Sequence, residues 1–205
     1  MFKTAGHVAK HYKPCCIIFE DFKNRGGSNA TIEEYVKAVE HHAAGIKDLD
    51  ARMAFKGDML EILAEMFFKA FANDPRVGLK DYEPVPIEED YGVDGRGTNA
   101  SGKQCAVQVK YRVNPLDFPT YAEIARTYAS GRIQLGLDLQ GDDCIFVFTT
   151  ANAVSIACHA VFKKMIRVLD RRIIGTEINN NVSFWQLAYD EIEETLLGRA
   201  GAKKP

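Results

Sequence analysis

A short, uninterrupted apolar run in the second half of the chain constrains the fold most. Residues 144–149 read CIFVFT, with no charged residue among them. A strand with one face in water alternates apolar and polar residues, so this run predicts a strand that is covered on both faces. Covering both faces of a sheet requires layers of helices, which predicts an α/β architecture.

Helix and turn signals elsewhere support the same architecture. Thr31 followed by Glu34 is a capping-box start that predicts a helix to about residue 42, and a longer helix is predicted over residues 46–72. Because strands and helices alternate, we expect a central mixed β-sheet flanked by helices. The other predicted elements are strands over residues 15–19, 92–99, 104–113 and 166–169 and helices over residues 119–130, 153–164 and 183–197.

Composition is that of a folded globular protein. The chain has 205 residues, 46% of them hydrophobic and 26% charged. We divide it into an N-terminal extension over residues 1–50, an α/β core over residues 51–198 and a polar tail over residues 199–205. The net charge of −2 excludes a broad cationic surface of the kind that coats nucleic acid.

Nothing in the sequence indicates a membrane or secreted protein. No apolar run reaches the roughly 18 residues of a membrane span, and the N-terminus lacks the apolar core of a signal peptide. The five cysteines are an odd number without regular spacing, so we expect buried, reduced thiols. We therefore expect a cytoplasmic protein without a membrane partner.

The predicted strand over residues 104–113 carries a polar face. It alternates cleanly, and Gln108, Lys110 and Arg112 point the same way at two-residue spacing. An uncompensated lysine is costly to bury, so we expect this face to meet solvent, an anion or acidic partners.

A hairpin is expected to bring Asp94 to this face. Residues 99–103 (NASGK) form the predicted connection, in which Gly102 is free to adopt a positive φ angle. Folding back on this turn places Asp94 beside Gln108, with Lys110 one step along. Magnesium prefers oxygen ligands and commonly takes only one or two carboxylates, so Asp94 and the Gln108 amide oxygen are candidate ligands.

A second carboxylate would complete such a site, because glutamine is neutral. Glu61 and Glu65 lie at i and i+4 in the otherwise apolar stretch MLEILAEMFF and are the candidates. Glu65 is the weaker of the two, because a solvent-facing or supporting role explains it better than direct ligation does.

Four short motifs together resemble the PD-(D/E)XK nucleases, the restriction-endonuclease-like superfamily, and in particular their Mrr-like branch. The D-x(n)-Q-x-K pattern is formed by Asp94, Gln108 and Lys110, with Val93 where the family name has proline. The resemblance spans roughly residues 55–190. Its motifs are GDMLE at residues 57–61, YGVDG at 91–95, VQVKYR at 107–112 and FTT at 148–150.

The resemblance implies a restriction-endonuclease-like core and Mg²⁺-dependent hydrolysis of DNA phosphodiesters, with Mn²⁺ as a substitute. Asp94, Gln108 and the Val109 carbonyl would bind the metal, Lys110 would orient the attacking water, and Glu61 would supply the helix acid. DNA would be the partner, and a homodimer would explain double-strand cleavage.

Acidic and basic residues are unevenly distributed along the chain, and the basic segments contain candidate DNA contacts. Residues 81–94 carry six acids, including Glu88, Glu89 and Asp90, and no lysine or arginine, while basic residues gather further along the chain. For Arg112 the sequence leaves open a phosphate contact or a pair with an acid. The candidate nucleic-acid contacts are Lys103, Arg112, Arg126, Lys163 and Lys164.

Two other interpretations remain open at this stage. The chain could keep the fold as a catalytically degenerate DNA-binding or assembly module, since Gln108 removes one charge from the site. Alternatively, Asp94 and Lys110 could form a simple salt bridge in a small-molecule enzyme or structural protein, with no dependence on metal or DNA.

Overall fold

The computed structural model of the chain describes residues 5–86 and 91–201. These residues form two compact units: a helical unit, drawn from the chain up to Ala70 and from Gly175 onward, and a sheet unit, Phe71–Ile174. The predicted division at residue 50 falls within the helical unit, and the last four residues of the predicted polar tail lie outside the described residues.

The elements follow one another along the chain as helices, then a mixture of strands and helices, then helices again. In chain order they are α1 (Ala5–Lys10), α2 (Tyr12–Asn24), α3 (Ile32–Ala44), α4 (Leu49–Ala70), β1 (Leu79–Pro84), β2 (Gly95–Asn99), β3 (Gln104–Lys110), α5 (Tyr121–Ile133), β4 (Ile145–Thr149), α6 (Ile156–Phe162), a short 3-10 helix (Lys163–Met165), β5 (Ile166–Leu169), α7 (Arg171–Ile178) and α8 (Val182–Gly201).

An aromatic cluster forms the core of the helical unit. Trp185 of α8 is fully buried, its ring centroid lies 4.5 Å from that of Phe22, and its indole N–H donates to the Ile178 carbonyl at 2.9 Å. Phe19 and Tyr35 complete the cluster. The indole therefore has its polar atom satisfied inside an apolar environment, which burial of tryptophan requires.

The strand predicted over residues 15–19 is wrong, because these residues belong to α2. The buried residues of α2 are Cys15, Ile18, Phe19 and Phe22, which follow the i, i+3, i+4, i+7 spacing of one helix face. A five-residue apolar window cannot reveal this period, since a buried strand and a buried helix turn look alike at that length.

The helix predicted after Thr31 is confirmed. The Thr31 hydroxyl accepts from the Glu34 backbone N–H at 3.2 Å, and the helix ends before Gly45. The longer predicted helix is also confirmed, as α4, with slightly later start and earlier end.

The sheet unit contains a five-stranded mixed sheet flanked by helices, as predicted. The strands lie in the order β1-β2-β3-β4-β5, antiparallel from β1 to β3 and parallel from β3 to β5. β1 is an edge strand that ends on Pro84, where the missing N–H costs no ladder bond. The hairpin turn is confirmed, with Gly102 at φ 74°.

Both faces of β3 are covered, so of the three environments expected for its polar face (solvent, an anion or acidic partners) solvent is wrong for Gln108. Residues 105–109 are buried, and Gln108 is only 2% exposed. Helix α5 packs on this face of β3, and Ile124 of α5 joins a core with Ala106 and Ile145. The continuous burial of β4 confirms the prediction made from its apolar run.

Helix α5 continues past the glycine that was predicted to close it. Gly131 lies inside the helix, and a methyl group added there would come within 2.9 Å of the Leu139 side chain. Gly131 therefore allows the Leu139 side chain to pack closely against α5 and does not end the helix. The capping box at the other end, between Thr120 and Glu123, fixes the start of the helix.

Four of the five cysteines are buried, and none forms a disulfide. Burial raises the pKa of Cys15 and of Cys105 to about 12, which keeps both thiols protonated and unreactive at neutral pH. Among the described residues, no helix is long and apolar enough to cross a membrane.

Candidate functional site

Asp94 lies on the chain just before β2, and its backbone is held on both sides. Its N–H donates to the Val107 carbonyl at 2.9 Å, and its carbonyl accepts from the Val85 N–H at 3.0 Å. Its carboxylate atom Oδ2 accepts from the Val109 backbone N–H at 2.5 Å and from Gln108 Nε2. The hairpin thus brings Asp94 and Gln108 into direct contact.

Glycine is needed for different physical reasons at the two positions beside Asp94. Gly92 has φ +98°, a conformation that favours glycine. Gly95 has ordinary backbone angles, but a methyl group added there would come within 2.7 Å of Cζ in the Tyr82 ring. The YGVDG motif is therefore a turn in which one glycine permits the bend and the other admits an aromatic ring.

Gln108 is held in place by helix α5. Its Oε1 accepts from the Thr127 hydroxyl at 2.5 Å, and its Nε2 lies 3.5 Å from the Val109 carbonyl as well as beside Asp94. The Thr127 Oγ1 is also 2.9 Å from the Gly92 carbonyl and 3.2 Å from the Glu123 carbonyl. A buried amide group needs such partners, and here both ends of the amide have them.

Lys110 ends β3 one step beyond this contact. Its carbonyl accepts from the Thr149 hydroxyl at 2.8 Å and from the Thr150 N–H at 3.3 Å, which fixes the strand end. Within residues 5–86 and 91–201, its ammonium group has no hydrogen bond or ion pair. The backbone of this half-buried lysine is therefore held, and its ammonium group is left for an external anion or water.

The sequence left the role of Arg112 open, and in the structure this residue pairs with acidic side chains. Its guanidinium group lies 2.7 Å from Glu123 and 3.4 Å from Asp117. Burial alone would raise the pKa of Glu123, but hydrogen bonds from Thr120 and Arg112 outweigh burial and lower it. Arg112 thus ties the end of β3 to the first turn of α5.

The other candidate DNA contacts lie at two ends of the sheet. Arg126 is exposed on α5 and donates to the Tyr91 carbonyl at 3.3 Å, on the side of Asp94. Lys103, Lys163 and Lys164 are exposed where β3 and β5 begin, the end opposite Lys110. A strand of seven residues separates the two ends by roughly 20 Å.

Glu61 belongs to the helical unit. Its carboxylate lies 3.1 Å from Nε2 of His7, and Asp58, one turn earlier on α4, bonds His11 at 2.6 Å and Lys10 at 2.8 Å. The participation of Glu61 in a metal site stays a prediction. The predicted acids Glu88, Glu89 and Asp90 lie outside the described residues, and Glu65 is buried in α4.

Sequence reasoning missed Thr127 and Glu123. Both lie on α5, four residues apart, and Thr127 interrupts a buried stripe that also contains Ile124 and Gly131. A threonine at a core position of an amphipathic helix is the one signal that could have drawn attention, because a buried hydroxyl needs a partner. Its partner Gln108 is 19 residues earlier and could not be inferred from spacing.

The donor set suits a hard cation only in part. No group of three or more His, Cys, Asp or Glu side chains with the geometry of a metal site occurs in the described part of the chain. Oxygen donors nevertheless converge at one point: the Asp94 carboxylate and the Val109 carbonyl flank the end of the Gln108 side chain. A half-turn of this amide would place its oxygen there, so these residues would supply three oxygen ligands of a Mg²⁺ ion and leave the other positions to water.

Comparison of the chain with family models, with curated proteins and with solved structures finds no significant match.

Proposed function

We propose that this protein is a metal-dependent DNA endonuclease that hydrolyses phosphodiester bonds, with a restriction-endonuclease-like core. The proposal rests on the motif resemblance together with one observation. Asp94, Gln108 and the Val109 carbonyl meet at one point. Lys110, whose ammonium group has no partner in the described part of the chain, follows on the same strand. Carboxylate, amide oxygen, carbonyl and lysine in this order suit Mg²⁺-assisted attack on a phosphate.

Each residue has a distinct task in this proposal. Asp94, the Gln108 amide oxygen and the Val109 carbonyl would hold the ion. When bound, Mg²⁺ would polarise a water molecule and neutralise charge on the attacked phosphate. Lys110 orients the water or holds a phosphate oxygen, since its ammonium group has three donors and no protein acceptor among the described residues.

Supporting residues keep this arrangement rigid. Thr149 and Thr150 hold the Lys110 backbone, which explains the threonines of the FTT motif. Arg112 holds α5 against the strand end through Glu123, so it positions the site and is a poor candidate for a phosphate contact. Arg126 and the three exposed lysines remain candidates for binding the DNA backbone.

A plasmid-nicking assay with Mg²⁺ or Mn²⁺, with and without EDTA, tests the proposal. We expect nicking that EDTA abolishes, and a loss of at least about 100-fold in Asp94→Asn and in Lys110→Met. Asp94→Asn is preferable to alanine because asparagine can still accept the Val109 N–H bond, so that loss of charge is separated from loss of fold.

Exposed residues of the same types in the sheet unit provide matched controls. Asp138→Asn and Lys80→Met change an exposed acid and an exposed lysine, and both should cut DNA at the wild-type rate. Cutting that persists in purified, folded Asp94→Asn protein would reject the proposed site.

One observation favours the second candidate, a degenerate DNA-binding or assembly module. The side-chain N–H of Gln108 donates a hydrogen bond to the Asp94 carboxylate, where a metal ion would otherwise bind. Such a module would bind DNA without cutting it and would bind neither Mg²⁺ nor Mn²⁺.

A further inference from the structure

The Thr127 hydroxyl faces more acceptors than it can serve. It has one hydrogen, yet its oxygen lies 2.5 Å from Gln108 Oε1, 2.9 Å from the Gly92 carbonyl and 3.2 Å from the Glu123 carbonyl. Thr127 is fully buried. A hydrogen donated to Gln108 cannot at the same time be donated to either carbonyl.

A half-turn of the Gln108 amide changes which groups donate and which accept hydrogen bonds around Thr127. Nε2 would then donate to the Thr127 oxygen, and the threonine hydrogen would be free for the Gly92 carbonyl. At the other end, Oε1 would lie where Nε2 lies now, beside Asp94 Oδ2 and near the Val109 carbonyl. Three oxygens converging at one point repel one another unless a cation lies among them.

We infer that Thr127 is a positioning residue that sets the orientation of the Gln108 amide, and that cation binding inverts this amide. Without a cation the amide N–H bonds to Asp94 and closes the site. With a cation the amide oxygen faces the ion and Thr127 accepts from Nε2. The inference rests on the proposed function, because it requires a cation at Asp94.

A glutamate at position 108 would remove the need for inversion. Its two carboxylate oxygens are equivalent, so one faces Asp94 and the other accepts the Thr127 hydrogen whether or not a cation is bound. Thr127 should therefore matter for cation affinity only when residue 108 is glutamine. A merely structural role for Thr127 would affect both backgrounds equally.

Calorimetric titration with Mn²⁺ of four proteins tests this coupling: wild type, Thr127→Val, Gln108→Glu and the double variant. We expect Thr127→Val to weaken Mn²⁺ binding about tenfold in the wild-type background, the value of one hydrogen bond. In the Gln108→Glu background the same change should alter affinity less than about twofold. Thr127→Ser, which keeps the hydroxyl, should bind within about twofold of wild type.

A second measurement uses the wild-type protein alone, so it tests the inference even if Thr127→Val does not fold. In the wild-type protein, nuclear Overhauser contacts between the Gln108 side-chain amide protons and the Thr127 side chain should strengthen when the diamagnetic ion Mg²⁺ is added. Contacts that stay unchanged while the ion binds would overturn the inference.

The outcomes separate this inference from the proposed function. Equal loss of affinity on Thr127→Val in both backgrounds, with Mn²⁺ binding and DNA cleavage intact in wild type, rejects only the role of Thr127. If none of the four proteins binds Mn²⁺, the metal site fails, and the inference fails with it.

Discussion

At the scale of single residues, the buried side chain of Gln108 and the half-buried side chain of His7 both lie against polar partners. Gln108 is satisfied at one end by Thr127 and at the other by Asp94. In the helical unit, His7 lies between Glu61 at 3.1 Å and Asp58 at 3.6 Å. Such groups are retained only where their hydrogen bonds outweigh the cost of removing them from water.

The His7 pair predicts a pH-dependent stability. Burial alone would lower the pKa of His7, but its hydrogen bond to Glu61 and the charges of Asp58 and Glu61 raise the pKa above the ordinary 6.5. The folded state therefore holds the proton more tightly than the unfolded state does. This stabilisation is full below pH 6.5 and is lost as the pH rises through the folded pKa.

Denaturant unfolding followed by the fluorescence of the single tryptophan, Trp185, checks this prediction in the helical unit. Wild-type stability should fall as the pH rises above 6.5, and His7→Gln should lose that dependence. His159→Gln, which changes an exposed histidine of α6, should keep the wild-type profile. A His7→Gln protein with an unchanged pH profile would contradict the assignment.

At the scale of elements, two glycines of the recognised motifs have opposite roles. Gly57 lies in the middle of α4, and a methyl group added there would meet no atom within 4 Å apart from the backbone of its own stretch of helix. Gly95 opens β2 under the Tyr82 ring, which leaves no room for a methyl group. Sequence pattern alone gives both positions the same weight.

Alanine substitutions should therefore change stability in opposite directions. Gly57→Ala should raise the free energy of unfolding by about 0.5–1 kcal/mol, because alanine loses less backbone entropy in a helix. Gly95→Ala should lower it by about 1–3 kcal/mol through crowding against Tyr82. Urea unfolding followed by circular dichroism measures both, and a stabilising Gly95→Ala would show that the strand can shift away from the ring.

At the scale of the whole molecule, charge is close to balanced, and the candidate DNA contacts do not form one continuous basic surface. Arg126 lies on the Asp94 side of the sheet unit, and the exposed lysines lie at the other end of the strands. We therefore expect a cation to bind only at Asp94. Its binding should raise the free energy of unfolding by the amount that mass action predicts.

Thermal unfolding with increasing Mg²⁺ measures that effect without any nuclease assay. At a concentration of about 100 times the dissociation constant, the ion should stabilise the folded protein by about 2.7 kcal/mol, or roughly 5–10 °C in Tm. In Asp94→Asn the shift between metal-free and metal-containing samples should be below about 1 °C. An equal shift in both proteins would place the ion elsewhere.

Local signals in the sequence are enough to predict the mixed sheet, the capped helix after Thr31 and the hairpin, because these depend on hydrophobic periodicity, a capping side chain and a turn glycine. The same signals predict that Asp94 lies opposite Gln108, since two strands joined by a short turn have a fixed register.

The contacts of each polar side chain depend on tertiary packing and are seen in the structure alone. There, residues 15–19 are helical, Gln108 is buried under α5, and Arg112 pairs with Glu123. These outcomes depend on how elements distant in sequence pack, and local propensity carries no information on the partner that a buried donor or acceptor will meet.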